Sequence, residues 1–208
     1  MDDWQETPGS KTEDSAARAG FDEAVRVALG TGDVARAAQE ALRRYGPELF
    51  GFLVAVVGDR EAAGTVYANA CRHMETELAA LPRTCSLQTG MYAIVRRRLA
   101  AHRQTGPHRT TGTATDFELT DPSRTVSRRP ANRRAAIAAL RMHLPPEDRE
   151  LLVLRIDRSL DWTEVAITSL GWDASKLDLA REARRLRARM RAVREELARA
   201  VRDGEPTR

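Results

Sequence analysis

Arginine side chains supply most of the chemistry that this sequence offers. The chain has 34 lysine and arginine residues, and only Lys11 and Lys176 are lysines. A guanidinium binds phosphate groups and base edges through a planar fork of donors, so the arginines favour an anionic partner. A net charge of +4 and a pI of about 9.6 agree with this. Any single arginine can equally be a solvated residue, because the chain is rich in alanine and arginine throughout.

Patterns typical of catalysis or metal binding are scarce. Cys71 and His73 stand two positions apart, but no second pair of ligands follows at a zinc-like spacing. With Cys85 the chain has two cysteines, too few for a disulfide framework. No glycine-rich phosphate loop follows a strand pattern, and no serine motif has the context of a nucleophile. We therefore expect a binding protein that is not an enzyme and uses no metal or other cofactor.

Composition and hydropathy limit the fold and the location. Hydrophobic residues make up 42% of the chain, which suits a folded protein. Charged residues make up 31% and aromatic residues 5%, a balance that favours helices over sheet. The chain has neither an apolar run of about 18 residues nor a signal-peptide pattern. We expect an all-α, cytoplasmic protein without membrane insertion.

The strongest local pattern begins at the Pro-Pro-Glu-Asp run of residues 145–148, which is typical of a helix start because proline and acids suit the first turn. Asp161 can cap a second helix, and Glu164 stands in the capping-box position three residues later. Gly171 suits the left-handed residue that ends such a short helix. The pattern predicts two consecutive helices and a glycine turn.

A third helix should follow this turn, capped by Asp173 or Ser175. It runs from about residue 174 to 202 with apolar residues at intervals of three or four: Leu179, Ala183, Leu186, Met190, Val193, Leu197 and Val201. The first half must pack on the preceding helices. The second half extends past them, which indicates packing against another chain or against the first of the two helical domains described below.

A short helix, a glycine turn and a basic helix form the helix-turn-helix pattern, whose last helix fits the DNA major groove. Helical hairpins in ordinary bundles give the same pattern, so plain packing is the alternative. The candidates for DNA contact in this unit are Trp162, Thr163, Trp172, Ser175, Lys176 and Arg181. For the two tryptophans a place in the core is an equally good interpretation.

Helical patterns also occupy the chain before residue 104, at 21–29, 34–45, 48–57, 60–81 and 87–102. Asp33 is a candidate N-cap, and the Gly-Pro pair at 46–47 marks a break or a kink. The segment 48–57 is apolar all round, which predicts a buried helix. Gly58 and Asp59 should end that helix and cap the next one.

The helix at 87–102 combines an apolar side with a basic side that carries Arg96, Arg97, Arg98 and, just beyond it, Arg103. A basic face with an apolar back can follow the phosphates of DNA. The alternative is the solvated face of a helix in a bundle.

These patterns divide the chain into two helical domains. Residues 1–20 are polar and should form a disordered lead, and residues 21–103 form the first domain. Residues 104–132 are rich in Thr, Gly, Pro and Ser without an apolar period, and predict a flexible linker. The second domain, residues 133–202, is a four-helix unit with the helix-turn-helix, and residues 203–208 form a tail.

The order of the parts, together with five motifs, resembles the sigma-70 family of bacterial transcription factors, of the small extracytoplasmic-function (ECF) type. Tyr-Gly-Pro-Glu-Leu-Phe at 45–50 and Gly-Asp-Arg-Glu-Ala at 58–62 look like the start of sigma region 2. Residues 91–97 are similar to the promoter-melting helix of that region. Residues 140–155 are close to the opening of region 4, and residues 162–171 match its glycine turn.

This resemblance implies that the chain binds core RNA polymerase and promoter DNA, and an anti-sigma factor is a further candidate partner. The second domain would read the −35 element with the six residues named above. The −10 contacts would come from Tyr92, Arg96, Arg97, Arg98 and Arg103, and the loop at 82–89 would capture a flipped base. The polymerase contacts would come from Arg60, Glu61, Thr65 and Asn69.

The sequence also departs from the family pattern. The stretch 62–69 lacks the carboxylates with which family members bind polymerase, and Gly90 stands where the family has tryptophan. Asp178 and Glu182 lie on the expected recognition helix, where they would repel phosphate or accept a hydrogen bond from cytosine. One alternative is therefore a degenerate sigma-like protein that regulates through protein contacts. The other is a plain helix-turn-helix DNA-binding regulator.

Overall fold

The computed structural model describes residues 9–105, 141 and 144–203, and every regular element in these residues is helical. A π-helical turn, Val153–Asp157, continues directly from α5. The helices are α1 (Gly9–Gly30), α2 (Val34–Val57), α3 (Arg60–Ala79), α4 (Leu87–Thr105), α5 (Pro146–Leu152), α6 (Trp162–Leu170) and α7 (Lys176–Asp203). Parts of the predicted lead, linker, second domain and tail lie outside the described residues, at 1–8, 106–140, 142–143 and 204–208.

Two predicted boundaries differ from the observed helices. Helix α1 begins at Gly9, so the second half of the expected disordered lead is helical. Helix α4 ends at Thr105 and includes the first two residues of the expected linker. Helix α7 runs over 28 residues, which agrees with the single long helix that the sequence predicts.

Helix α2 is continuous across the Gly-Pro pair at which a break or kink was expected. Gly46 lies against α3, because a Cβ atom at this position would stand 2.5 Å from the hydroxyl oxygen of Tyr67. The expected cap at Asp33 is absent, since the Asp33 side chain forms no capping hydrogen bond. The junction between α2 and α3 is as predicted. Gly58 has a left-handed conformation (φ 80°), and the Asp59 carboxylate accepts a hydrogen bond from the Ala62 amide at 2.7 Å.

Helix α4 is the central element of the described residues. Helices α2 and α3 pack on one side of it, and α6 packs on the other. Every residue from Leu87 to Val95 is consequently buried. The fully buried large side chains around it include Tyr45, Leu49, Phe52, Leu53, Met74, Leu78, Met91, Tyr92 and Ile94.

The helices after residue 144 start as the sequence predicts. Pro146 occupies the first turn of α5, and Glu147 and Asp148 follow it, where acids complement the helix dipole. The π-helical turn then ends at a bend in which Ser159 has a positive φ of 56°. Helix α7 buries Ala183, Leu186, Met190 and Val193 against α5 and α6.

The two groups of helices share one hydrophobic cluster instead of standing apart. Helix α2 contacts α5 and the π-helical turn, while α4 contacts α6. Arg158, in the bend after the π-helical turn, donates a hydrogen bond of 3.1 Å to the carbonyl oxygen of Glu48 in α2. The contacts that join the two groups of helices are therefore between residues far apart in sequence.

Two glycines give opposite expectations for alanine substitution. No atom lies within 4 Å of the position that a Cβ atom would take at Gly64 in α3, so Gly64→Ala should raise the free energy of unfolding by about 0.5–1 kcal/mol through helix propensity. Gly46→Ala should lower it, because overpacking against Tyr67 costs about 1–3 kcal/mol and exceeds the propensity gain. Urea denaturation measures both. Equal shifts for the two variants would contradict the close α2–α3 contact.

Candidate nucleic-acid interface

The first turn of α6 has the predicted capping box. The Asp161 carboxylate accepts hydrogen bonds from the amides of Thr163 (2.7 Å) and Glu164 (2.8 Å), and the Glu164 carboxylate accepts one from the Asp161 amide at 2.8 Å. Asp161 and Glu164 thus fix where α6 begins. The exposed Thr163 side chain lies on this first turn.

The turn between α6 and α7 requires glycine. Gly171 has φ 101° and ψ 162°, so φ is positive as predicted, although ψ is extended and not that of the left-handed helix. A Cβ atom here would stand 2.6 Å from a carboxylate oxygen of Asp173. Of the two candidate caps for α7, Ser175 is the one observed: its hydroxyl accepts a hydrogen bond from the Asp178 amide at 3.2 Å.

The start of α7 presents polar side chains to solvent. Ser175, Lys176 and Arg181 are all exposed. Asp178 lies among them, accepts a hydrogen bond of 2.7 Å from the Ser175 hydroxyl, and stands 3.4 Å from the Arg181 guanidinium. In the part of the chain that the structure describes, Lys176 has no ion pair. The turn therefore combines open hydrogen-bond donors with one carboxylate that an anionic ligand must displace or avoid.

The two tryptophans are half-buried, and arginines cover their rings. The Arg97 guanidinium lies 4.9 Å from the ring centroid of Trp172, across the contact between α4 and the α6–α7 turn. The guanidiniums of Arg155 and Arg187 lie 5.3 and 5.7 Å from the centroid of Trp162. Both rings thus make cation–π contacts within the chain. Each tryptophan is partly buried, as the core interpretation expects, and partly open to solvent.

The arginines of α4 are held by carboxylates of this chain. Arg96 donates to Glu150, and a second nitrogen of its guanidinium donates to the carbonyl oxygen of Ser169 at 2.8 Å. Arg103 stands 3.7 Å from the other oxygen of Glu150. Glu150 is 4% exposed. The sequence offered no local signal for this pairing, since Glu150 is more than fifty positions from Arg96.

A second buried carboxylate holds the other two arginines. The Glu77 carboxylate in α3 accepts a hydrogen bond of 2.7 Å from Arg97 and another from Arg98. The Arg97 side chain is still 48% exposed, whereas that of Arg98 is 22% exposed. All four arginines proposed for −10 contacts are therefore engaged within the chain in this arrangement.

Tyr92 requires a correction. It was expected among the −10 DNA contacts, but its side chain is 0% exposed and packs edge-on against Phe52 with centroids 5.4 Å apart. The residue lies on the side of α4 that faces α2, so it contributes to the core and not to a surface.

The loop at 82–89, which was expected to capture a base, is hydrogen-bonded to α6 at its C-terminal end. The hydroxyls of Ser86 and Thr89 donate to the Glu164 carboxylate at 3.2 and 2.9 Å. Glu164 thus serves both the cap of α6 and this contact with α4. Gly90, where a tryptophan was expected from the resemblance, lies under Leu81, and a Cβ atom there would stand 2.5 Å from a Leu81 methyl group.

The residues expected to bind polymerase lie on α3. Arg60, Glu61 and Thr65 are exposed, and Asn69 is half-buried. Arg60 covers the ring of Phe50 at 5.2 Å, and the Thr65 hydroxyl donates to the Glu61 carbonyl oxygen at 3.2 Å. The structure thus places Thr65 and Asn69 together beside α4, and Arg60 separately against α2.

Cysteine chemistry is weak at both sulfur positions. Burial raises the pKa of the Cys85 thiol to about 11 and also raises that of Cys71, so both thiols stay protonated at neutral pH. Within the described residues, no three histidine, cysteine or acidic side chains converge as metal ligands. None of the described helices is both long and apolar enough to cross a bilayer.

No protein-family model matches this chain, and no curated protein matches it either.

The buried carboxylate of Glu150 should be a main determinant of the contact between α4 and the later helices. Glu150→Ala leaves two arginines without their acceptor and should lower the free energy of unfolding by about 2–3 kcal/mol. Hydrogen exchange in α6 should accelerate at the same time. Glu40→Ala is the matched control, because Glu40 pairs with Arg43 on the surface and its loss should cost at most about 0.5 kcal/mol. Similar effects for the two variants would show that Glu150 has no special role.

Proposed function

We propose that this chain is a divergent sigma-70-type transcription initiation factor with two helical domains. In this proposal α6, the Gly171 turn and α7 form a helix-turn-helix that reads promoter DNA. The helices before residue 105 bind core RNA polymerase and the −10 region. The observation that carries the proposal is the exposure of Ser175, Lys176 and Arg181 at the start of α7, next to the Gly171 turn.

The chemistry of this turn suits DNA. The side chains at the start of a recognition helix meet base edges, and the helix dipole favours nearby phosphate. Lys176 and Arg181 supply donors for guanine or phosphate, and the Ser175 hydroxyl suits either. The Asp178 carboxylate, which now holds Ser175 and Arg181, disfavours phosphate and accepts from the amino group of cytosine.

The proposal requires a rearrangement for the −10 contacts. Glu77 and Glu150 now occupy the guanidiniums of α4, so promoter DNA must replace these carboxylates. Arg97 is the most accessible of the four and would exchange first. Polymerase binding at α3 and DNA binding at α4 would both favour a form in which α4 separates from α6.

A second candidate function is a sigma-like protein that regulates through protein contacts, including contacts with an anti-sigma factor. Two observations favour it. The four α4 arginines are engaged inside the chain, and the stretch 62–69 on α3 offers no carboxylate to polymerase. In this case the docked arrangement would itself be the active form.

Co-purification of the tagged full chain with core RNA polymerase, followed by run-off transcription on genomic fragments, separates the two candidates. Stable binding with promoter-dependent transcripts supports the initiation factor. Binding without transcripts supports the second candidate, and no binding to polymerase contradicts the initiation factor.

In the same assay the double variant Lys176→Ala/Arg181→Ala should weaken promoter binding about tenfold or more, because each base contact contributes about 1–3 kcal/mol of discrimination. The double variant Arg36→Ala/Arg43→Ala removes the same charge from α2, far along the chain from the open turn, and should transcribe normally. Equal losses for the two double variants would indicate a general charge effect and not recognition by α7.

A further inference from the structure

A basic groove lies beside α6, along the middle of α7, and encloses about 670 Å³. We call it the arginine groove. Its principal lining residues are Arg155, Trp162, Arg184, Arg187, Arg191 and Arg194. None of the five arginines belongs to the contacts proposed above, so the groove is a feature that the −35 and −10 assignments do not explain.

The arginines of α7 fall into two sets on different faces. Arg181, Arg185 and Arg189 each pair with a carboxylate: Asp178, Glu182 and Asp148, respectively. By contrast, in the described part of the chain no arginine of the groove forms an ion pair. This includes Arg191, although Glu195 follows it by four residues on the exposed surface. Five positive charges without carboxylate partners therefore line one concave surface.

The groove offers charge and few apolar anchors. Guanidiniums of Arg155 and Arg187 both lie against the Trp162 ring, and Met190 at the base is 2% exposed. Arg155 and Arg184 each use one donor on a carbonyl oxygen, of Leu160 and Ala180, and keep the others available. A peptide that docks in a groove needs apolar pockets for its anchor residues, so the groove fits a polyanion better.

The spacing of the arginines suits a nucleic-acid strand. Residues 184, 187, 191 and 194 follow one another at intervals of three and four, which places them on one face of α7 over about 15 Å. One strand of B-form DNA presents about four phosphates over that length. The groove also adjoins the first turn of α6, and in helix-turn-helix proteins that helix crosses the DNA backbone.

We infer that the arginine groove binds the phosphate backbone of duplex DNA, in addition to the contacts made by the first turn of α7. This inference rests on the proposed DNA-binding function. The groove contributes affinity on any sequence, whereas Ser175, Lys176 and Arg181 contribute sequence preference.

The test is the salt dependence of duplex binding by the full chain, measured by fluorescence anisotropy with promoter and random duplexes between about 50 and 200 mM salt. The double variant Arg191→Gln/Arg194→Gln should weaken binding to both duplexes alike. It should also reduce the slope of log Kd against log salt concentration by about two, because each lost phosphate contact reduces it by about one. Both side chains are exposed, so thermal denaturation should be unchanged.

Two further variants serve as controls. Arg191→Lys/Arg194→Lys keeps the charge and should keep most of the slope. Arg43→Gln/Arg185→Gln removes the same charge from two exposed arginines that pair with Glu40 and Glu182 outside the groove, and it should leave the slope unchanged.

The outcomes distinguish this inference from the function on which it rests. If Lys176→Ala/Arg181→Ala abolishes sequence preference while the groove variant keeps the wild-type slope, the inference is wrong and the proposed function stands. If the wild-type chain binds no duplex, the inference is wrong, and the proposed function is then decided by polymerase binding and run-off transcription. Binding of a polyglutamate peptide that depends on Arg191 and Arg194, with an unchanged DNA slope, would assign the groove to an acidic protein partner and overturn the inference.

Discussion

The structure depends above all on the ion pairs between arginines of α4 and the buried carboxylate of Glu150 in α5. Arg96 and Arg103 both reach this carboxylate, and Arg96 also donates to the backbone at the end of α6. A single group of charges thus joins α4 to α5 and α6, which both lie after residue 144. Because α6 is held in this way, the start of α4 is covered on both sides and the two groups of helices share one core.

Such buried pairs act more on specificity than on net stability. Removing charges from water offsets most of their mutual attraction, whereas leaving one charge unpaired is strongly unfavourable. Alternative docked arrangements would leave Glu150 without an arginine, so its pairs favour one arrangement over others that apolar packing alone would permit. The same property makes the contact reversible, since phosphate is an equally good partner for a guanidinium.

Local signals in the sequence predicted local structure well. The capping box at Asp161 and Glu164, the Gly58–Asp59 junction and the long α7 are all observed, because each depends on residues within one or two turns. Three local predictions failed: the disordered state of residues 9–20, the cap at Asp33 and the break at residues 46–47. The remaining failures concern long-range packing. Tyr92 was assigned to DNA contact from the resemblance of residues 91–97 to the promoter-melting helix, but α2 covers it. The carboxylate partners of those arginines lie on other helices, and no periodicity indicates which charge will meet which.

Glu164 has a consequence for how this sequence can evolve. One carboxylate holds the start of α6 and also accepts hydrogen bonds from Ser86, just before α4, and from Thr89 in its first turn. A mutation of Glu164 therefore has two effects. It alters the start of α6, in the DNA-reading unit that we propose, and it removes the hydrogen bonds between α6 and the start of α4. Neutral drift at residues 86 and 89 is restricted by the same carboxylate. Divergence of the two halves of the chain into independent modules would first have to separate these two roles.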